Sequence, residues 1–266
     1  MKYGIRLKIA DTVFQVFSDS KKPILWLRER YQRFFSSLEP DFHVFITLDK
    51  NWKKRPSSFL APRPVLTDSR FSAQTRFFDV RIDFTRRKAT VTADPEFGIV
   101  PTLAFLCSAV LMKNGGFLLH ASAVLKDRFS YVFFGPSESG KTTIARLSKG
   151  KTVLTDETAA IVRHNGRYSA YATPFAGEFG DVDENTGGPI KAIFLLRKDS
   201  SFGCRALKKS DAVRQLFCNA RMPIGSAIMA NTLFDTFEGL ATKTPCYELS
   251  FKPEPKIWRY IDGFIK

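Results

Sequence analysis

The run Tyr131-Val132-Phe133-Phe134 reads as a strand and leads directly into Gly135-Pro136-Ser137-Glu138-Ser139-Gly140-Lys141-Thr142-Thr143, after which Ile144-Ala145-Arg146-Leu147 has helical spacing. The pattern G-x-x-x-x-G-K-[ST] between a strand and a helix is a phosphate-loop signature. Its glycines let the backbone turn so that successive N–H groups point at an anion, and the helix that follows adds its positive end. In this reading Gly135, Pro136, Ser137, Glu138, Ser139, Gly140, Lys141, Thr142 and Thr143 form a nucleotide cradle. Lys141 reaches the β- and γ-phosphates, and the Thr142 hydroxyl is a ligand for Mg²⁺. Glu138 is expected to point away, because an inward carboxylate would repel phosphate. A strand that ends in such a loop belongs to an α/β sheet with its ligand at the carboxyl ends of the strands.

The next acids come early. Lys151-Thr152-Val153-Leu154-Thr155-Asp156-Glu157 is an extended segment ending in two carboxylates, and Asp156 follows Lys141 by 15 residues. That interval fits one short helix and one strand, which would bring the acids to the same crevice as the loop. Asp156 could hold Mg²⁺ or take a proton from an attacking hydroxyl, and Glu157 is a further metal candidate. Two adjacent strand residues point to opposite faces, so one acid should face the site while the other supports it. Upstream, His120 interrupts the apolar run Phe117-Leu118-Leu119-His120-Ala121-Ser122-Ala123-Val124 one strand before the loop. By residue type alone it is either a satisfied core histidine or a functional one.

The remaining chain reads as two regions. Residues 1–95 are β-rich with one helix: Tyr3 to Ile9 and Thr12 to Phe17 pair across Ala10-Asp11, Pro23 to Phe35 has helical spacing, and Phe42 to Leu48 alternates like a strand. A Pro-rich stretch (Pro56, Pro62, Pro64) reads as a long loop. A hairpin then folds Phe78 to Phe84 and Ala89 to Ala93 about Arg86-Arg87-Lys88. Residues 96–266 form the second region, whose texture changes to strand-turn-helix units from Phe117 onward. Gly98 to Lys113 forms a buried helix stopped by Asn114-Gly115-Gly116, Ala192 to Leu196 a buried strand, Ser210 to Cys218 a helix capped by Ser210, Met222 to Leu240 a helix and Cys246 to Phe251 a late strand.

The net charge of +15 invites a nucleic-acid reading. The excess is spread, however, at +8 over residues 1–100 and +7 over the rest. The clusters Lys50/Lys53/Lys54/Arg55 around Trp52 and Arg86-Arg87-Lys88 are short and read as a solvated loop or hairpin face, and no aromatic–basic strand-binding motif is found, so nucleic acid is not an expected partner. No N-K-x-D guanine-reading motif is found, which argues against a GTPase. Four scattered cysteines without zinc-ligand spacing are expected to be free thiols. No apolar run reaches spanning length, and the N-terminus has no secretory core, so a cytoplasmic protein without membrane contact is expected.

Leu119 to Val124, Gly135 to Thr143 and Thr155-Asp156-Glu157 together resemble the HPr kinase/phosphorylase superfamily, particularly its shorter relatives. The resemblance runs from about Gly115 to the C-terminus. It implies a phosphoenolpyruvate-carboxykinase-like nucleotide-binding fold, in which Lys141 and Thr142 match the phosphate and Mg²⁺ ligands. Asp156 matches the acid that deprotonates the acceptor serine, and His120 a histidine beside that acid. The full-length family enzymes carry two aspartates where this chain has Asp156-Glu157. Their signature segment is replaced here by Thr173-Pro174-Phe175-Ala176-Gly177-Glu178, followed by Asp181, Asp183 and Glu184. Glu178 is a candidate metal or acceptor contact, and Arg221 a candidate charge partner for a transferring phosphoryl group. Residues 1–95 do not resemble the regulatory domain of the bifunctional enzymes. The resemblance also implies a homo-oligomer.

The expected activity is therefore an ATP- and Mg²⁺-dependent kinase whose acceptor is a hydroxyl, serine foremost, of a peptide, small protein or small molecule. The alternative is a catalytically silent ATP-binding module in a biosynthetic complex.

Overall fold

In the first region apolar side chains alternate with polar ones strand after strand, which fits a sheet buried on one face only. A computed structural model of the chain describes residues 2–52, 64–67, 69–175, 177, 185–221 and 227–265. Lys53, Lys54, Arg55, Pro56 and Pro62 lie outside the described residues. The chain divides into two units, Met1–Val110 with Met222–Asn231, and Leu111–Arg221 with Thr232–Lys266.

The first unit contains β1 (Tyr3–Ile9), β2 (Thr12–Ser18), β3 (Phe42–Leu48), β4 (Val65–Leu66), β5 (Arg70–Gln74), β6 (Phe78–Asp83) and β7 (Lys88–Ala93), in the sheet order β1-β2-β3-β7-β6-β5-β4. The expected β1–β2 and β6–β7 hairpins are present and antiparallel, whereas β3 joins β2 and β7 in parallel. Helix α1 (Lys21–Arg30) makes the crossover from β2 to β3. It ends earlier than the spacing predicts: Tyr31 leaves helical geometry, and a separate 3-10 turn covers Gln32–Phe34. The Tyr31 and Phe34 rings are buried at that break and pack edge to face, 6.4 Å apart.

One sheet face is a continuous core that includes Leu7, Phe14, Val44, Ile46, Phe71 and Ile82. Phe105, on helix α2 (Ile99–Lys113), packs 5.4 Å from both Phe71 and Phe78. The outer edge of β1 is covered, one of the ways a sheet edge is kept from pairing further. Ser36 N–H donates to the Arg6 carbonyl, and the Arg6 guanidinium donates to the Ser37 and Leu38 carbonyls.

The second unit holds β8 (Phe117–Leu119), β9 (Ala121–Lys126), β10 (Phe129–Phe134), β11 (Thr152–Thr155), β12 (Ala159–His164), β13 (Arg167–Tyr171), β14 (Gly187–Lys198), β15 (Gly203–Ala206) and β16 (Cys246–Phe251). Its sheet runs β11-β9-β10-β14-β13-β12-β8, with β16 also on β14 and β15 on β16. Strand β14 is longer than the apolar run Ala192 to Leu196 suggests, because it serves two partners in succession. Gly187 to Pro189 pair with β13, and Ile193 to Lys198 pair in parallel with β16. On its other side β14 lies parallel to β10. Ser130 to Phe134 of β10 and Ala192 to Leu196 of β14 are buried where the two strands pair, which is why those stretches read as unbroken runs with little charge.

Helices α3 (Lys141–Arg146), α4 (Lys209–Asn219), α5 (Ala227–Lys243) and α6 (Ile257–Phe264) complete the element list. Helix α4 starts one residue before Ser210, with Lys208 as its extended N-cap and no side-chain cap bond, so Ser210 is inside the helix and does not cap it. Of the expected helix from Met222, residues 222–226 lie outside the described residues. Phe133 stacks on Phe194 at 5.1 Å, and the Trp258 indole of α6 meets the Tyr131 and Phe133 rings edge-on. Among the described residues no helix is long and apolar enough to cross a membrane. All four cysteines are free thiols.

Candidate active site

Strand β10 ends at Phe134, and the next residues turn through Gly135 (φ 152°), Glu138 (φ 61°) and Gly140 (φ 105°) before α3 begins at Lys141. Gly140 has no alternative at its position. A Cβ there would stand 2.6 Å from the Phe251 ring, in a backbone conformation that side chains rarely adopt. Lys141 is 7% exposed, and its ammonium donates to the Gly135 and Pro136 carbonyls at 3.0 and 2.9 Å, folding over its own loop. Burial lowers the Lys141 pKa from its ordinary value; Glu157 raises it and Arg221 lowers it further. Glu138 is exposed, on the rim of a crevice of about 450 Å³ between the loop, the end of β14 and Gln215. Ser139 is buried, and its hydroxyl has no hydrogen-bond partner among the described residues.

The acidic pair sits on a turn just past β11. The Thr155 hydroxyl accepts from the N–H groups of Glu157 and Thr158, both at 3.1 Å, which holds the two acids in place. The register of β11 on β9 shifts between Val153 and Thr155, a local irregularity of the kind that re-aims neighbouring side chains. Asp156 is 3% exposed and accepts from the Gly177 N–H at 3.1 Å. Glu157 is half-buried, with its carboxylate on Arg221 and 3.4 Å from His120 Nδ1. The two acids thus face different partners, although the strand ends before them.

Two main-chain hydrogen bonds bring Arg221 to this place. His120 N–H donates to the Asn219 carbonyl, and Arg221 N–H donates to the Leu118 carbonyl, so residues 219–221 run antiparallel to 118–120. His120 occupies the break between β8 and β9. Its Nδ1 lies 2.9 Å from the Glu157 carbonyl, an acceptor, and 2.9 Å from Arg221 Nη2, a donor. One ring nitrogen cannot serve both at once: protonated it donates to Glu157, and deprotonated it accepts from Arg221. Burial lowers the His120 pKa, Lys141 and Arg221 lower it further, and Glu157 opposes them.

Lys141, Glu157, His120 and Arg221 therefore share one electrostatic neighbourhood. Asp156 is adjacent in the chain, but its carboxylate is held by Gly177. The sequence reading placed Lys141, the acids and His120 individually and did not anticipate Gly177. The signal available for it was a glycine inside the segment Thr173 to Glu178. Ala176, Glu178, Asp181, Asp183 and Glu184 lie outside the described residues. No cluster of three or more His, Cys, Asp or Glu groups suited to a metal occurs among the described residues.

The second unit is thus an α/β fold in which strand β10 ends in a glycine-rich loop with a buried lysine, flanked by an acidic turn, a histidine and an arginine. Residues 99–266 match the family described as SynChlorMet cassette protein ScmC, and the chain belongs to this family. No curated protein matches it. Among solved structures it is similar to one titled as the Hpr(Ser) kinase/phosphatase from Coxiella burnetii, at 10% identity and a TM-score of 0.31, over 56% of this chain and 93% of that chain.

Proposed function

We propose that the protein is a Mg²⁺-dependent kinase that moves the γ-phosphoryl group of ATP to a hydroxyl, serine foremost, on a peptide, small protein or small molecule. The proposal includes a phosphoenolpyruvate-carboxykinase-like nucleotide-binding fold for the second unit. The observation that carries it is the gathering of Lys141, Glu157, His120 and Arg221 beside the loop, with buried Asp156 next in the chain. The residues present fit a nucleotide with Mg²⁺. The Lys141 ammonium rests on loop carbonyls that phosphate oxygens could replace, and the Ser139 hydroxyl in the loop has a hydrogen bond to give. Thr142 and Asp156 offer hard oxygen donors, and Mg²⁺ commonly takes only one or two carboxylates and completes its shell with phosphate and water. Bound there, Mg²⁺ would neutralise charge on the phosphate oxygens.

In this reading Lys141 and the loop N–H groups hold the phosphates, and Arg221 offers positive charge to the transferring group. Asp156, fixed by Gly177, takes the proton of the acceptor hydroxyl as the new O–P bond forms and the bond to the ADP oxygen breaks. His120 with a depressed pKa is neutral at pH 7 and can share that proton.

The test is transfer of labelled γ-phosphate from Mg-ATP into host extract fractionated by size. A labelled species is expected with the wild-type chain and lost with Lys141→Ala and with Asp156→Ala; undiminished transfer by Asp156→Ala overturns the proposed base.

The second reading is an ATP-binding module without transfer activity, working within a biosynthetic complex. The family description as a cassette protein favours it, and so does the engagement of the Glu157 carboxylate by Arg221. Nucleotide binding with no labelled product in any fraction would select it.

A further inference from the structure

Strand β10 has the acids on one flank and an open crevice on the other. The sheet order β11-β9-β10-β14 puts the acidic turn after β11 and His120 before β9 on one side of β10, and β14 on the opposite side. Strands β11, β10 and β14 run in the same direction, because β9 is antiparallel to both β11 and β10 while β14 is parallel to β10. Their carboxyl ends therefore share one edge of the sheet. On the β14 flank of that edge, Pro136 to Ser139, Leu195 to Lys198 and Gln215 of α4 line a crevice of about 450 Å³, within the roughly 300–1,000 Å³ usual for small-molecule sites. Three polar side chains on its lining have no hydrogen-bond partner among the described residues: the buried Ser139 hydroxyl, the Glu138 carboxylate and the Gln215 amide. Glu138 is also held at φ 61°, a left-handed conformation that glycine adopts freely and a glutamate does not. Glycine would hold this turn at lower cost, so the carboxylate, not the backbone, accounts for a glutamate here.

Resting on the nucleotide reading above, we propose that this crevice takes the ribose and purine base of ATP. A triphosphate bound on the loop with its γ-phosphate toward Asp156 and Arg221 has its nucleoside end on the β14 flank. There the Glu138 carboxylate, which would repel phosphate, accepts hydrogen bonds from the ribose hydroxyls. The Gln215 amide offers a donor beside an acceptor, which matches the N7 acceptor and N6 amino donor of adenine. Lys198, also on the crevice lining, offsets the Glu138 charge beside the phosphates. An acidic acceptor peptide in the crevice would meet the Glu138 carboxylate and lie on the wrong flank for Asp156.

The experiment is isothermal titration of the full chain with Mg-ATP and with Mg-2′,3′-dideoxy-ATP. Wild type should bind ATP about tenfold more tightly, the difference expected for hydrogen bonds to a charged group. Glu138→Gly and Glu138→Gln should bind ATP about as weakly as wild type binds the dideoxy analogue, and should lose little more on the analogue. Gln215→Ala should weaken ATP binding about fivefold and reduce the preference for ATP over GTP. Because glycine accepts φ 61°, the urea midpoint of Glu138→Gly should hold or rise while its ATP affinity falls, whereas damage to the fold would lower both. Lys141→Ala should remove binding of both nucleotides. Equal wild-type affinity for the two nucleotides, an equal loss on both with Glu138→Gln, or unchanged ATP binding by Gln215→Ala overturns the placement of ribose and base and leaves the nucleotide reading standing. Binding of neither nucleotide by wild type overturns both.

Discussion

The Gly177 main-chain N–H donates to Asp156 Oδ1 at 3.1 Å across 21 residues of chain, and a Cβ at 177 would stand 2.8 Å from both carboxylate oxygens. This contact needs a bare backbone: any side chain would push into the carboxylate and into the Glu157 Cβ, also 2.8 Å away. Gly177→Ala should therefore turn Asp156 aside and leave the phosphate loop intact. Overpacking of this kind costs about 1–3 kcal/mol, and misplacing a catalytic group by about 1 Å can cost about a hundredfold in rate. Phosphoryl transfer should fall much more than ATP affinity, measured by isothermal titration. Equal transfer rates for Gly177→Ala and wild type would remove Gly177 from the positioning of Asp156.

His120 supplies a pH test with a definite sign. Its folded pKa lies below the ordinary histidine value of 6.5, chiefly through burial. The unfolded chain then binds more protons than the folded one between the folded value and 6.5. The stabilising contribution is complete above pH 6.5 and is lost as pH falls from there through the folded value. His120→Gln should flatten that part of the stability curve, read from urea midpoints at successive pH values. Because Arg221 lowers the His120 pKa and Glu157 raises it, Arg221→Ala should move the His120 ring titration upward in NMR, and Glu157→Gln should move it downward. The resonance is separated from those of His43 and His164 by its absence in His120→Gln.

How far the sequence carries this structure depends on whether a feature is local. The strand, loop and helix from Tyr131 to Leu147 are contiguous, and their chemistry is legible in the residue order. The parallel placement of β3 between β2 and β7 is decided by contacts between distant segments, which no window of sequence contains. Other local signals are present in the sequence as well. Asn165-Gly166, with φ of 47° and 76°, is the turn between β12 and β13, and Asn-Gly is the favoured pair for such a two-residue turn. Phe71 and Ala73 alternate inward in β5, but the short strand borders a Pro-rich stretch that read as loop. Ser210 carried a capping signal that the structure does not use, because α4 begins a residue earlier on a lysine. At the site, Lys141 and Asp156 were readable from spacing, whereas the Arg221–His120 contact depends on 219–221 lying against 118–120.

Gly140 sets the geometry of the loop against strand β16. Alanine there would meet the Phe251 ring at 2.6 Å while holding φ at 105°. Strain of this kind costs about 1–3 kcal/mol. Pairing Gly140→Ala with Phe251→Leu should relieve the collision and leave the dihedral cost, so the double variant should be more stable than the sum of the single losses predicts. Chemical denaturation of the four proteins measures that coupling. Strict additivity would mean that the loop shifts away from Phe251 at no cost.

Helix α6 is tied to the far end of the loop helix by one buried hydrogen bond. Trp258 Nε1 donates to Ser148 Oγ at 3.0 Å, and Ser148 Oγ donates to the Ile144 carbonyl at 2.7 Å. Trp258→Phe keeps a ring against Tyr131 and Phe133 but removes the donor. Ser148 keeps its bond to Ile144 and loses only an acceptor role, so the cost should stay near 1 kcal/mol. Trp258→Ala also empties the core between α6 and the sheet and should cost about 3–5 kcal/mol. The test is the loss of ATP-induced stabilisation caused by Ser148→Ala in a thermal melt, measured in the wild-type and Trp258→Phe backgrounds: equal losses would mean that the two residues act independently and that α6 does not act on the loop through Ser148. A smaller effect of Ser148→Ala in the Trp258→Phe background is the expected outcome, because that variant has already broken the link.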